Sequence, residues 1–383
     1  MTLLVTLLAL WGPPHPVVSF YPTRVFGSAF TLLYPDTLSA MTFLPSLAPR
    51  NRGLWFQTDP NMLIFWNAGF FVGGWGSYKR TQNSEPESSN FDRSTTWSSR
   101  ILLGYGHRRG FGVLFHYQNT AGRDFRHRTL DFVGDLWSEY SRPRWELRIS
   151  YIKGSQYVLF RFKKKSDSAQ DQMSRSLPPN YDESFSWYYQ DTLKGQVSVG
   201  SVRKEPWGVW MIEASLGASR AGWRTHAEGQ NFENDSLTDS FVNESSEQGK
   251  IEPEGIFRVA GLRKNETEAY TFYVGIQAQI QARIRSITIQ GSRAKEVLAT
   301  VRMPIAIERR VPPLQFLIGT AFGFHFLYQY RRTGGDVRTQ SSASFVGGVM
   351  PLTVQVRFSP HLRVGVLWTL WTRSYQAFIL YQG

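Results

Sequence analysis

The chain has 383 residues, a formal net charge of +13 and no cysteine, which excludes disulfides, thiolate catalysis and cysteine-based metal sites. Aromatic residues make up 15% of it, with 13 Trp and 17 Tyr, against 19% charged residues, and the chain lacks the ~18 consecutive apolar residues of a membrane-crossing helix. Strands are the remaining way across a membrane, because only helices and closed barrels satisfy their own backbone in lipid.

In chain order, residues 2–10 form a short apolar run that stops at Trp11-Gly12-Pro13-Pro14. Too short to span, it reads as the core of a signal peptide over 1–19, with cleavage after Val17-Val18-Ser19. Export of a strand-rich chain without cysteine points to the outer membrane of a two-membrane bacterium, where lipid is the first partner. Residues 20–52 differ from the rest of the chain. Small residues, a Pro35-Asp36 step and a helix-compatible piece ending at Leu44-Pro45 predict a compact segment that folds inside a lumen, a plug or hatch.

From residue 53 to 383 the pattern predicts an all-β fold, a transmembrane antiparallel barrel of about fourteen strands. These fall at 53–58, 62–77, 96–106, 111–118, 129–140, 144–163, 183–201, 207–221, 253–262, 268–290, 295–309, 314–330, 342–358 and 362–381. Short turns alternate with polar loops at 78–95, 119–128, 164–182, 222–252 and 331–341, as external loops do in such barrels. Within 144–163 the apolar set moves from odd positions (Trp145, Leu147, Ile149, Tyr151) to even ones (Val158, Phe160, Phe162) across Gly154, which predicts a bulge in one long strand.

The clearest stretch runs from 276 to 308. Ile276, Ala278, Ile280, Ala282 and Ile284 alternate with Gln277, Gln279, Gln281, Arg283 and Arg285. Val297, Ala299, Val301, Met303, Ile305 and Ile307 then alternate with Leu298, Thr300, Arg302, Pro304, Ala306 and Glu308. Period 2 puts one set on each face of a strand, so the apolar face meets lipid and the polar face lines the lumen. The same rule turns Phe322, Phe324, Phe326 and Tyr328 outward and His325 and Gln329 inward. Arg357 and Arg363 also face in. The inward charges are Arg148, Arg283, Arg285, Arg302, Arg357 and Arg363 with Glu146, Glu213 and Glu308. Two readings fit them: a basic constriction favouring anionic groups, or a ladder that braces the wall.

Before the first strand, Gly27, Ala29, Asp36, Ala40, Pro45 and Leu47 match a pattern of the kind G-x-A, D-D-x-x-A, N-P-A-x-L, from which Pro35, Leu44 and Ser46 depart. On those residues the chain resembles the long-chain fatty-acid transporter (FadL) superfamily of outer-membrane proteins, including its PorV-like branch. The resemblance implies passive transport of hydrophobic or amphipathic, fatty-acid-like molecules past the plug. Its PorV-like branch implies the alternative, a component of a protein secretion or surface-attachment system with secretion proteins as partners.

Catalytic and metal patterns are weak. The seven His residues show no i, i+4 spacing, and neither His116 nor His325 stands near a Gly-x-Ser-x-Gly context. The acidic run from Glu233 to Asp239 lacks the glycine and spacing of a calcium loop and reads as a solvated loop. No enzyme, metal or cofactor is expected. The basic residues are dispersed rather than gathered on one element, so no nucleic-acid partner is expected either.

Overall fold

The structure, a computed structural model, describes Leu33, residues 43–47 and residues 53–381 apart from short connections at 59–60, 68, 85–90, 107–108, 129–132, 178–179, 234–235, 288–291, 312–313, 334–335, 347–350, 358–361 and 370–373. The expected signal peptide at 1–19 lies outside the described residues, as do Gly27, Ala29, Asp36 and Ala40 of the motif. So do the side chains of Arg285, Arg357 and Arg363.

Nineteen strand segments form one sheet. In chain order they are β1 (Gly53–Thr58), β2 (Asn61–Asn67), β3 (Phe70–Ser84), β4 (Phe91–Gly106), β5 (Arg109–Arg128), β6 (Val133–Ser141), β7 (Arg144–Lys153), β8 (Gln156–Leu177), β9 (Asn180–Glu205) and β10 (Gly208–Glu233). The remainder are β11 (Ser236–Gln248), β12 (Glu252–Glu266), β13 (Tyr270–Ile287), β14 (Ser292–Val311), β15 (Leu314–Thr333), β16 (Asp336–Val346), β17 (Pro351–Arg357), β18 (Leu362–Thr369) and β19 (Ser374–Tyr381). Every pairing is antiparallel, and β1 lies beside β19, so the two ends of the sheet come together. Three consecutive pairs are halves of one crossing. β6 and β7 both lie between β5 and β8; β11 and β12 share β10, and β16 and β17 share β15.

Three of the expected runs are hairpins. Residues 62–77 divide into β2 and β3 before Gly69, and 362–381 into β18 and β19. Residues 144–163 are β7 and β8, with Lys153 opposite Gln156 across a two-residue turn. Gly154 sits there at φ +63°, the left-handed conformation that tight hairpin turns demand of their first central residue. The predicted bulge is therefore a turn. Both shift the apolar parity by one, which is why periodicity alone does not separate them.

The faces are as the alternation demands. On β13, Phe272, Val274, Ile276, Ile280 and Ile284 are exposed, while Thr271, Tyr273 and Gln277 are buried. On β14, Val297, Met303, Ile305 and Ile307 face out and Glu296, Ala306 and Glu308 are buried. Phe322, Phe324, Phe326 and Tyr328 continue the outward stripe on β15, and Ile101, Leu103, Phe111, Phe115, Phe160 and Ile212 extend it around the sheet. An exposed apolar band around a buried polar interior inverts the soluble pattern, and it defines a transmembrane β-barrel.

Several strands outrun the membrane. A tilted crossing needs ~9–11 residues, yet β9 and β10 have 26 each and β8 has 22. The polar stretches expected as loops at 164–182 and 222–252 are mostly strand: β8 and β9 stay paired to Leu177 and Asn180, and β10 and β11 to Glu233 and Ser236.

Candidate functional site

The interior is built in layers from the short-turn end. Leu33 is buried with Met211, Ala260, Leu262, Tyr273 and Ala306, all inward residues near the short-turn ends of β10, β12, β13 and β14. Phe43 and Leu44 are buried against Ile152, Tyr157 and Leu159 of β7 and β8. Each such side chain contributes roughly 1.5–3 kcal/mol when taken out of water. The Ser46 backbone N–H donates to Ser150 Oγ at 2.8 Å, inside the same layer.

A glycine notch admits this turn of chain. A Cβ at Gly104 would stand 2.6 Å from the Pro45 carbonyl oxygen, one at Gly110 would stand 2.7 Å from the Ser46 carbonyl oxygen, and one at Gly112 would overlap the Pro45 carbonyl. The three glycines share the inward parity of β4 and β5. Only a wall without side chains there lets the backbone of 45–46 lie against it.

Above this apolar layer the wall turns polar. On β7 and β8, Glu146 accepts from Arg148 Nε at 2.7 Å and faces Arg161 Nε and Lys163 Nζ, each at 3.3 Å. Register sets these groups side by side: Arg100 opposite His116, His116 opposite Glu146, Glu146 opposite Lys163, and Arg148 opposite Arg161. Further round, Glu213 accepts from Tyr157 Oη at 2.7 Å and Arg258 Nη1 at 3.2 Å. Tyr157 reaches it by lying across Gly200, which stands opposite both residues on the strand between. Arg258 Nε also donates to Gln279 at 3.0 Å, and Ser215 donates to Ser198 at 2.8 Å.

The chain of contacts continues to β15. Glu254 is paired with Lys194 and accepts from Gln281. Glu296 is paired with Arg283 and accepts from Gln329 Nε2 at 3.0 Å. Tyr273 Oη donates to Glu308 at 2.8 Å. Buried carboxylates are tolerable only when paired in this way.

Of the residues expected to line the lumen, Gln277, Gln279, Gln281, Arg283 and Arg302 are in strands with their side chains on the inward parity. Gln279, Gln281 and Arg283 join the network of paired carboxylates. Arg285, Arg357 and Arg363 lie in β13, β17 and β18. Of the motif, Pro45 and Leu47 fall in the layer at the short-turn end, where Leu47 packs beside Phe43 and Leu44. Alternation places Arg148 and Glu146 correctly but misses Arg100, Arg161 and Lys163, which share their layer. The parity of the outward stripes on β4 and β8 is the signal that could have found them. No group of three or more metal-ligating side chains is present among the described residues.

No family model matches the chain, and no curated protein is similar to it in sequence. Solved structures do match. They include the ferric yersiniabactin uptake receptor FyuA from Yersinia pestis, at 9% identity over 84% of this chain and 68% of that one, with a TM-score of 0.42. The copper transporter OprC matches at 11% identity over 83% of this chain and 60% of its own, with a TM-score of 0.37. The siderophore receptor PiuA from Acinetobacter baumannii matches at 7% identity over 90% and 77%, with a TM-score of 0.27. The chain thus spans between 60% and 77% of the lengths of these three.

These findings correct the resemblance drawn from the N-terminal motif. The matching structures are siderophore receptors and a copper transporter rather than FadL-type or PorV-like barrels, and the fatty-acid and secretion readings fall with it. The wall gives a physical reason for doing without a fatty-acid path. Beyond the layer touching residues 33 and 43–47, a run of its inward groups on β7 to β15 pairs charges and amides, which an alkyl chain would have to strip of water with nothing in return.

Proposed function

We propose that the protein is a barrel of the bacterial outer membrane through which a small polar molecule passes, with residues 20–52 as a plug at the short-turn end. The observation that carries this reading is the inward wall itself: a hydrogen-bonded belt of charges and amides from β7 to β15, above an apolar layer that residues 33 and 43–47 complete. A polar belt needs water or a polar solute on its open side. An apolar layer below it does not, and closes by packing. Gln277, Gln279, Gln281, Arg283 and Arg302 then line the path, joined by Arg285, Arg357 and Arg363 where their strands reach it.

Liposome swelling with a neutral sugar tests this reading. Vesicles holding the intact protein should swell slowly, and those holding Gly112→Val should swell several-fold faster, because the new side chain displaces Pro45 from its notch. Deletion of 20–52 should do the same or more. Permeability at the bare-lipid level after that deletion, in protein still shown to be folded by heat-modifiable migration, would mean that no path exists.

A further inference from the structure

We infer that the lipid-facing side of β7 to β10 holds one anionic phospholipid at the short-turn end, with an acyl chain in a cavity of the wall and its phosphate between Lys153 and Arg203. The site is on the opposite face of the wall from the lumen and does not depend on passage. The cavity measures about 640 Å³ and is lined from four neighbouring strands. Register lines up Tyr151, Val158 and Val199 in one outward row and, two residues nearer the turns, Ser201 and Ile212 in the next. Val158, Val199 and Ser201 lie between the larger Tyr151 and Ile212, so the wall is hollow where its side chains are short.

Two cations close the end nearer the turns. Lys153 stands in the row of Ser201, and Arg203 follows two residues further along β9, opposite Trp210. Both line the cavity, both are exposed, and neither forms an ion pair among the described residues. Only β8 separates β7 from β9, about 10 Å in all, and two side chains this long can meet a phosphate between them. Trp207 and Trp210 fix the depth. Their rings pack edge to face at 5.4 Å, and Trp prefers the level where hydrocarbon gives way to head groups. Lys153 and Arg203 are thus at head-group height, and Tyr151, Val158 and Val199 are among acyl chains. Trp210 also lines the cavity, and its buried indole N–H has no acceptor among the described residues, a donor that a phosphate or ester oxygen would satisfy.

An apolar hollow ending in two cations fits an amphiphile with a negative head. The short turns of outer-membrane barrels face the periplasm, where the leaflet is phospholipid, so the occupant is a phospholipid. A zwitterionic lipid brings a cation of its own to Lys153 and Arg203 and gains less there. A net negative one gains roughly fivefold in affinity from each cation near the head groups.

Native mass spectrometry of the intact protein in non-ionic detergent, titrated with phosphatidylglycerol or with phosphatidylcholine, counts the bound lipids and ranks them. The first phosphatidylglycerol should bind about tenfold or more tightly than the first phosphatidylcholine. Lys153→Gln and Arg203→Gln should each weaken it roughly fivefold and leave phosphatidylcholine little changed. Val199→Trp fills the hollow from a position that is already exposed, and should weaken both lipids several-fold. Arg309→Gln removes a cation of the same end that lies over Tyr270 on β13, away from the cavity, and should change nothing. Equal binding of the two lipids, indifference to Lys153 and Arg203, or indifference to Val199→Trp overturns the inference. So does an equal loss in Arg309→Gln, which would mean a diffuse basic belt without a site. A barrel that passes no sugar but retains this lipid loses the passage reading and keeps the site.

Discussion

The lower wall and the upper hairpins are made of the same antiparallel strands, yet they obey different sequence rules. On β13 every second residue from Phe272 to Ile284 is apolar and exposed, and those between are buried or partly so; β14 shows the same contrast at Val297, Met303, Ile305 and Ile307. On β11 all residues but one are exposed, whichever way they point. The difference lies in the solvent on each side. Below, one face meets lipid and the other a packed polar interior, so the faces must differ. Above, both faces meet water, and pairing with β10 alone keeps the strand in place.

Three substitutions probe that contrast. The largest effect is expected for Glu213→Ala, which leaves Arg258 and the Tyr157 hydroxyl without their acceptor in a nearly closed interior. Breaking a buried pair from one side costs about 3–5 kcal/mol, and urea titration of refolding into vesicles should show it. Ile276→Arg places a charge among lipid chains in the middle of the β13 stripe and should cost ~2–4 kcal/mol in the same titration. Val242→Arg is the control that sharpens the comparison. Its site on β11 is more exposed than Ile276, 69% against 48%, but it meets water rather than lipid and should move stability by less than about 0.5 kcal/mol. Equal losses at 276 and 242 would erase the distinction between wall and rim.

The same contrast explains which parts of the fold are legible. Ile276 to Ile307 can be read from the sequence because lipid enforces alternation, and with it comes the inward placement of Gln277, Gln279, Arg283 and Glu308. Residues 222–248 read as a loop because Thr225, Asn231, Ser240 and Ser245 carry no periodic mark; a strand wetted on both sides needs none. Gly154 stands where the parity flips, but a bulge and a two-residue turn flip it alike, and only the antiparallel pairing that sets Lys153 opposite Gln156 separates them.

The candidate site is half visible in the sequence. Glu146 and Arg148 follow from the stripe on β7, whereas their grouping with Arg100, Arg161 and Lys163 depends on register between strands, which one strand's pattern does not contain. Gly104, Gly110 and Gly112 look like ordinary strand glycines until Pro45 is set against them.

Register has one further consequence. Alternation forbids a slip by one residue, because every side chain would change face, but a slip by two leaves all faces intact. Long strands such as β8, β9 and β10 thus have several pairings that periodicity cannot rank. Tyr157, Gly200 and Glu213 rank them. Moving β9 by two brings Ser198 or Val202 beneath the tyrosine ring, where a side chain has no room, and parts the hydroxyl from the carboxylate it bonds at 2.7 Å. Beyond the energy of one hydrogen bond, the three residues carry information: they tell neighbouring strands which of many equivalent alignments is the right one, and so fix the stagger with which the sheet closes.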